Sequence, residues 1–178
     1  TSTTAFFAIV PKIAAIGLLI RFLTGPFGDF MFEWKQIIIF VSIGSMVLGS
    51  LVAIRQNNIK RLLAYSSIGH VGYVLIGLCT GTSEGISAMI IYLFFYILMN
   101  SALFAILLSI KNKNEYIEII DNLSGLSKKN PIIAIVITIM MFSMAGIPPF
   151  AGFFGKFYIF LSALNSGLYF LAVIGVVS

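Results

Sequence analysis

Long apolar stretches separated by short polar runs set the pattern of this chain. A helix needs about 20 predominantly apolar residues to cross the hydrocarbon of a bilayer. The stretches over 5–23, 37–54, 62–79 and 86–110 approach or exceed that length, and they predict four spanning helices, A to D. Between them stand turn sequences rich in Gly, Pro, Asn and Ser: Thr24-Gly25-Pro26, Gln56-Asn57-Asn58 and Gly81-Thr82-Ser83. A polar loop over 111–131, ending in Asn130-Pro131, leads to an apolar stretch over 132–164 and a last one over 167–178. No repeat of solenoid length is present.

The last two stretches have the wrong length for a simple span. As a single helix, 132–164 would be about 50 Å long, against a hydrocarbon core of about 30 Å. It contains Gly146-Ile147-Pro148-Pro149, and two adjacent prolines remove two backbone donors and clash with the preceding turn. Helix E is therefore read as broken: 132–145, an unwound segment at Gly146, Pro148 and Pro149, then 150–164. Non-helical backbone survives at membrane depth only inside protein or beside a wet cavity, and broken helices mark transport sites. The stretch 167–178 is too short to span and is read as an incomplete helix. The predicted class is all-α, a polytopic membrane protein with five spans, one of them broken, plus one partial helix, forming a single membrane domain over 1–178.

Composition agrees with this pattern and excludes other classes. The chain is 60% hydrophobic and 10% charged, with mean hydropathy +1.07, whereas soluble domains are about 45–50% apolar and about 25% charged. A soluble domain, a disordered chain, a disulfide scaffold and a nucleic-acid partner are all excluded on that ground. The first apolar stretch has no basic segment before it, so it is not read as a signal peptide. The net charge of +5 reflects basic loops on one side. Linkers B–C and D–E carry Arg55, Lys60, Arg61, Lys111, Lys113, Lys128 and Lys129, whereas the linkers on the other side carry only Arg21 and Lys35. The basic side is expected to face the cytoplasm or an organelle matrix, together with the N-terminus.

Three ionisable residues fall inside predicted spans: Lys12 in A, His70 in C and Lys156 just after the Pro-Pro break. A lysine at the bilayer centre costs about 2.5–3.5 kcal/mol, so it marks either a charge pathway or a side chain that snorkels to the headgroups. His70 is either structural or a proton carrier, imidazole being the side chain that changes charge nearest neutral pH. Ser66, Ser67 and Tyr73 give its helix a polar face. Asn100 and Ser101 in D serve either packing or a path, and Gly77-x-x-x-Gly81 matches a small-residue packing pattern. All six acids, Asp29, Glu33, Glu84, Glu115, Glu118 and Asp121, are placed in linkers. The two lysines thus have no carboxylate partner in a span, and another polypeptide, or a part of this one beyond the given sequence, is expected to supply one. No phosphate loop, metal-spaced Cys/His cluster or nucleophile–base pair is found. The lone Cys79 can form no internal disulfide.

Three motifs carry a resemblance. Asn58-Ile59-Lys60-Arg61-Leu62-Leu63-Ala64-Tyr65-Ser66-Ser67-Ile68-Gly69-His70-Val71-Gly72-Tyr73 resembles the signature of the antiporter-like subunits of respiratory complex I. Met144-Ala145-Gly146-Ile147-Pro148-Pro149-Phe150-Ala151-Gly152-Phe153-Phe154-Gly155-Lys156-Phe157-Tyr158 resembles their broken-helix motif, and Val10-Pro11-Lys12-Ile13-Ala14 their lysine helix. The order and spacing are most similar to the subunit 2 group of proton-pumping NADH:quinone oxidoreductases. The resemblance implies about fourteen helices in two inverted five-helix repeats, of which this chain matches the second. It implies a proton relay through Lys12, His70 and Lys156, with Lys60 and Arg61 as matrix-side anchors or a proton entry. It implies no cofactor or metal in this chain. Expected partners are lipids, other complex I membrane subunits and a separate chain supplying the first half with its intramembrane Glu–Lys pair. Ile and Phe make up 46 of 178 residues, as in an A+T-rich organelle genome. The mitochondrial inner membrane is therefore expected, with a bacterial plasma membrane as the alternative. The expected function is a non-redox, proton-translocating subunit of that oxidoreductase. The alternatives are a subunit of a multi-subunit sodium/proton antiporter and a scaffold without its own conducting path.

Overall fold

The computed structural model describes residues 2–112, 115, 116 and 118–178. Lys113, one of the bases used for sidedness, lies outside the described residues. Four long helices come first: α1 (Ser2–Thr24), α2 (Met31–Ile54), α3 (Ile59–Thr80) and α4 (Ser83–Ser109). All four are long and apolar enough to cross a membrane. After α4 come a two-residue antiparallel hairpin, Lys111–Asn112 with Glu115–Tyr116, a 3-10 turn and the single-turn α5 (Leu126–Lys129). The broken span follows as α6 (Pro131–Ala145) and α7 (Ala151–Asn165), and the short α8 (Tyr169–Val177) ends the fold. The architecture is that of a mainly helical membrane protein.

One expectation is corrected at the helix ends. α2 starts at Met31 rather than at 37, which puts Glu33 and Lys35 inside it, and Glu84 lies in the first turn of α4. Not all acids are therefore in linkers. Carboxylates in a first turn face the positive end of the helix dipole and favour the helical state. The early start of α2 is fixed by the buried Trp34, whose indole Nε1 donates to the Phe27 carbonyl at 3.0 Å. Gly81 adopts φ 67° and closes α3 in the left-handed conformation, and it also packs, because a Cβ there would collide with the Met31 side chain at the start of α2. Gly77, its partner in the pattern, packs as well: a Cβ there would stand 2.8 Å from the Gly85 carbonyl oxygen of α4.

Helix α3 is the most buried span and touches α1, α2, α4 and α7. Its tightest neighbour is α2, and small residues make the approach possible. A Cβ at Gly72 would lie 2.9 Å from both the Met46 amide nitrogen and the Ser42 carbonyl oxygen, and the Ser42 hydroxyl donates to the Gly72 carbonyl at 2.8 Å. Between helices in lipid there is no hydrophobic driving force, so close contact and hydrogen bonds decide association. Large apolar side chains such as Phe32, Phe40, Ile54 and Ile132 instead point outward, which suits hydrocarbon.

The α2–α3 contact yields a direct test. Gly72→Leu is expected to destabilise the folded subunit by about 1–3 kcal/mol through overpacking, seen as a lower thermal midpoint in detergent. Gly44→Leu, also on α2 but with open space around the added Cβ, is expected to leave the midpoint unchanged.

Candidate functional site

The break between α6 and α7 frees backbone groups inside the bilayer, where each must find a partner. On the α6 side, Gly146 turns the chain with φ 86°. Its amide donates to Ser143 O at 3.0 Å, and the Ile147 amide donates to Phe142 O at 3.1 Å, a Schellman-type closure. The Pro148–Pro149 peptide is cis. On the α7 side, the Ser143 hydroxyl reaches across the gap, accepts the Gly152 amide at 3.1 Å and contacts Met99 Sδ of α4 at 2.9 Å. A Cβ at Gly152 would collide with the Ser143 carbonyl, so glycine permits this crossing. One serine therefore ties both half-helices to α4.

Lys156 extends from the second turn of α7 back to the end of α6. Its Nζ donates to the Ala145 carbonyl at 3.1 Å and lies 4.5 Å from the centroid of the Tyr73 ring. A cation at a helix C-terminus and over an aromatic face is stabilised by both. Lys156 thus finds neutral dipolar partners within this chain, a carbonyl and an aromatic face, which its sequence surroundings do not reveal. Lys156 lines a cleft of about 810 Å³ together with His70, Tyr73, Ser66, Gly146 and Phe157.

Lys12 sits on α1 beside Pro11, which lacks the N–H for the helical bond to Phe7. Its Nζ donates to the hydroxyl of Ser67 on α3, which in turn donates to the Ala64 carbonyl at 2.5 Å. One turn before Lys12, the Ala8 carbonyl accepts the Tyr96 hydroxyl at 3.3 Å. A small cavity lies between Lys12, His70, Val74 and Tyr96. His70 is therefore part of the wall of both cavities, with Lys12 bordering one and Lys156 the other. It is buried, its Nδ1 lies 2.5 Å from the Tyr92 hydroxyl, and its ring packs 5.3 Å from that of Tyr96.

Tyr92 and Tyr96 were not singled out from the sequence. With Asn100 they recur every four residues on α4, on one face of the helix, and this spacing is the signal that could have found them. Asn100 is fully buried. Its Nδ2 donates to the Tyr96 carbonyl at 3.1 Å, and its Oδ1 has no partner among the described residues. Ser101 is exposed.

Lys60 and Arg61 stand apart from this group, in the first turn of α3. Asn58 caps that helix, accepting the Lys60 amide at 3.0 Å and the Arg61 amide at 3.3 Å. Arg61 is exposed, whereas Lys60 forms an ion pair with Glu118. The same loop is stitched to α3 by backbone: Ile59 N–H donates to Glu118 O at 2.8 Å and Ile120 N–H to Asn57 O at 3.0 Å.

Three comparisons bear on this arrangement. A family model described as the NADH:quinone oxidoreductase/Mrp antiporter transmembrane family matches residues 1–178. NADH-quinone oxidoreductase subunit N of Paramagnetospirillum magneticum is 54% identical over the whole chain, and that of Pelagibacter ubique 53%. The chain spans 37% and 38% of their lengths. Among solved structures, the Mrp complex from Dietzia sp. aligns with TM-score 0.88 and 29% identity, covering 97% of this chain and 32% of that one. Respiratory complex I from Thermus thermophilus aligns with TM-score 0.70 and 35% identity, covering 80% and 32%.

The surface clasp gives a pH prediction. The hydrogen bond and charge of Lys60 hold the Glu118 carboxyl below its ordinary range. A lowered folded-state value means the clasp contributes fully above the unfolded carboxylate range and is lost as pH falls through the lowered value. Hydrogen-exchange protection at the Ile59 and Ile120 amides is expected to fall under acid conditions. Glu118→Gln is expected to show the same loss at neutral pH, modest in size because the pair faces solvent.

Proposed function

This chain belongs to the NADH:quinone oxidoreductase/Mrp antiporter transmembrane family, and we propose that it forms the proton-relaying second half of an antiporter-like subunit of a proton-pumping NADH:quinone oxidoreductase. The observation that carries the proposal is the position of His70 as a wall shared between the Lys12 cavity and the Lys156 cleft. In this mechanism a proton held on one lysine reaches the imidazole through water in its cavity and leaves to the other lysine through the second. Neutral dipoles, a hydroxyl at Lys12 and a carbonyl with an aromatic face at Lys156, hold each ammonium. Neither partner fixes the charge as a carboxylate would, which suits a group that must give its proton up. Electron transfer takes place on other subunits and biases this axis. Lys60, paired with Glu118, acts as an anchor at the entrance rather than as a relay member. Partner membrane subunits, including the polypeptide or segment that supplies the first half and its Glu–Lys pair, complete the channel. The bacterial source of the named relatives supports the plasma-membrane alternative over the mitochondrial inner membrane.

A second reading, a subunit of a multi-subunit sodium/proton antiporter, is favoured by the likeness to the Mrp complex over 97% of the chain. Sodium-dependent proton exchange without NADH would support it. Co-purification with NADH-oxidising subunits would rule it out.

Lys156→Met in the full-length subunit of an assembled complex tests the relay. Protons pumped per NADH oxidised are expected to fall while assembly, read on a native gel, stays normal. An unchanged ratio in a normally assembled complex overturns the role given to Lys156.

A further inference from the structure

His70 is the one histidine of the chain, and its two ring nitrogens have different surroundings. Nδ1 faces the Tyr92 hydroxyl at 2.5 Å. Nε2 has no hydrogen-bond partner among the described residues, and the residue borders both cavities. Tyr92 is fully buried, and His70 is the only hydrogen-bond partner of its hydroxyl among those residues.

A phenol carries one hydrogen, so the pair can be arranged in two ways. If Nδ1–H donates to the phenolic oxygen, the phenolic hydrogen is left without an acceptor in a buried place, at a cost of about 1–3 kcal/mol. If the phenol donates to Nδ1, both groups are satisfied and the imidazole hydrogen sits on Nε2, where water in a cavity can accept it. The second arrangement leaves no buried donor unpaired. Helix α7 holds the ring in place: a Cβ at Gly155, next to Lys156, would stand 2.8 Å from Tyr92 Cδ2.

We infer that Tyr92 is a positioning residue that holds neutral His70 as the Nε2–H tautomer, a donor toward the cavities with no free lone pair. In that state His70 offers a hydrogen bond but cannot accept a proton from the cavity. Acceptance requires the Tyr92 bond to open or reverse, and α7, packed on the ring, is the element whose displacement releases it. The ionisable groups facing His70 are Lys12 from α1, Lys156 from α7, Tyr92 and Tyr96 from α4, and Tyr73 on its own helix.

The tautomer part stands on the geometry alone, and the gating part rests on the relay proposed above. Solid-state 15N NMR of the histidine-labelled, full-length subunit in lipid tests the first, with His70→Gln identifying the His70 signals. The expected wild-type spectrum has a protonated Nε2 and an unprotonated, hydrogen-bonded Nδ1, and Tyr92→Phe is expected to give a mixture of both tautomers. A protonated Nδ1 in the wild type overturns the inference whether or not the variant folds, as does an unchanged tautomer in Tyr92→Phe. Pumping in the assembled complex separates the two levels. If His70→Gln pumps normally, the relay reading fails and the tautomer result stands. If His70→Gln abolishes pumping and Tyr92→Phe leaves its pH profile unmoved, the gate fails and the relay stands.

Discussion

A helix interrupted inside a bilayer leaves peptide groups that water cannot reach, and the satisfaction of those groups organises this molecule. The Ala145 carbonyl is taken by Lys156, the Gly152 amide by Ser143, and the turn between them by its own Schellman-type closure. Each solution draws in a neighbour. Ser143 brings α4, and Lys156 brings the Tyr73 face of α3. The ionisable residue and the defect in the helix are therefore one structure. Removing the lysine leaves a carbonyl without its donor, and removing the break leaves a charge without its dipole.

The second organising contact lies between α2 and α3. Glycine and serine let the two backbones meet, which leaves the remaining sides of α3 to α1, α4 and α7. Those sides carry Ser67, His70 and Tyr73, each meeting a group from a different helix: Lys12 from α1, Tyr92 from α4 and Lys156 from α7. A bulky α2–α3 seam would have displaced α3 and separated these pairs. The polar core is thus set by side chains that are absent as much as by those present.

Much of this was legible in the sequence because the signals are local. Long, predominantly apolar stretches, two adjacent prolines and a lysine amid apolar residues each carry meaning without knowledge of the fold. What stayed hidden depends on tertiary contact. Tyr92 and Tyr96 in a long apolar helix look like packing residues until His70 is seen beside them. The Lys156 bond to Ala145 spans eleven residues across a break whose geometry no propensity describes. Glu118 lies far along the chain from Lys60, and its pairing follows from how the loop folds back. The left-handed cap at Gly81 is also hidden, because a small residue at a four-residue interval and a helix cap look the same in one dimension, and Gly81 is both. The start of α2 is equally hidden: Glu33 and Lys35 suggest a loop, whereas the buried Trp34 between them holds a helix.

The stitching of the α4–α6 loop to the start of α3 has a mechanical meaning. With residues 57–60 fastened to 118–120, the chain from the foot of the histidine-bearing helix to α6 is reduced to the short run 121–130. That run contains two helical turns of its own, so it acts as a strut more than as a slack tether. A displacement of this segment would therefore reach the base of α3 and the base of α6 together. The loop thus joins the start of the histidine-bearing helix to the start of the broken span by more than the covalent chain.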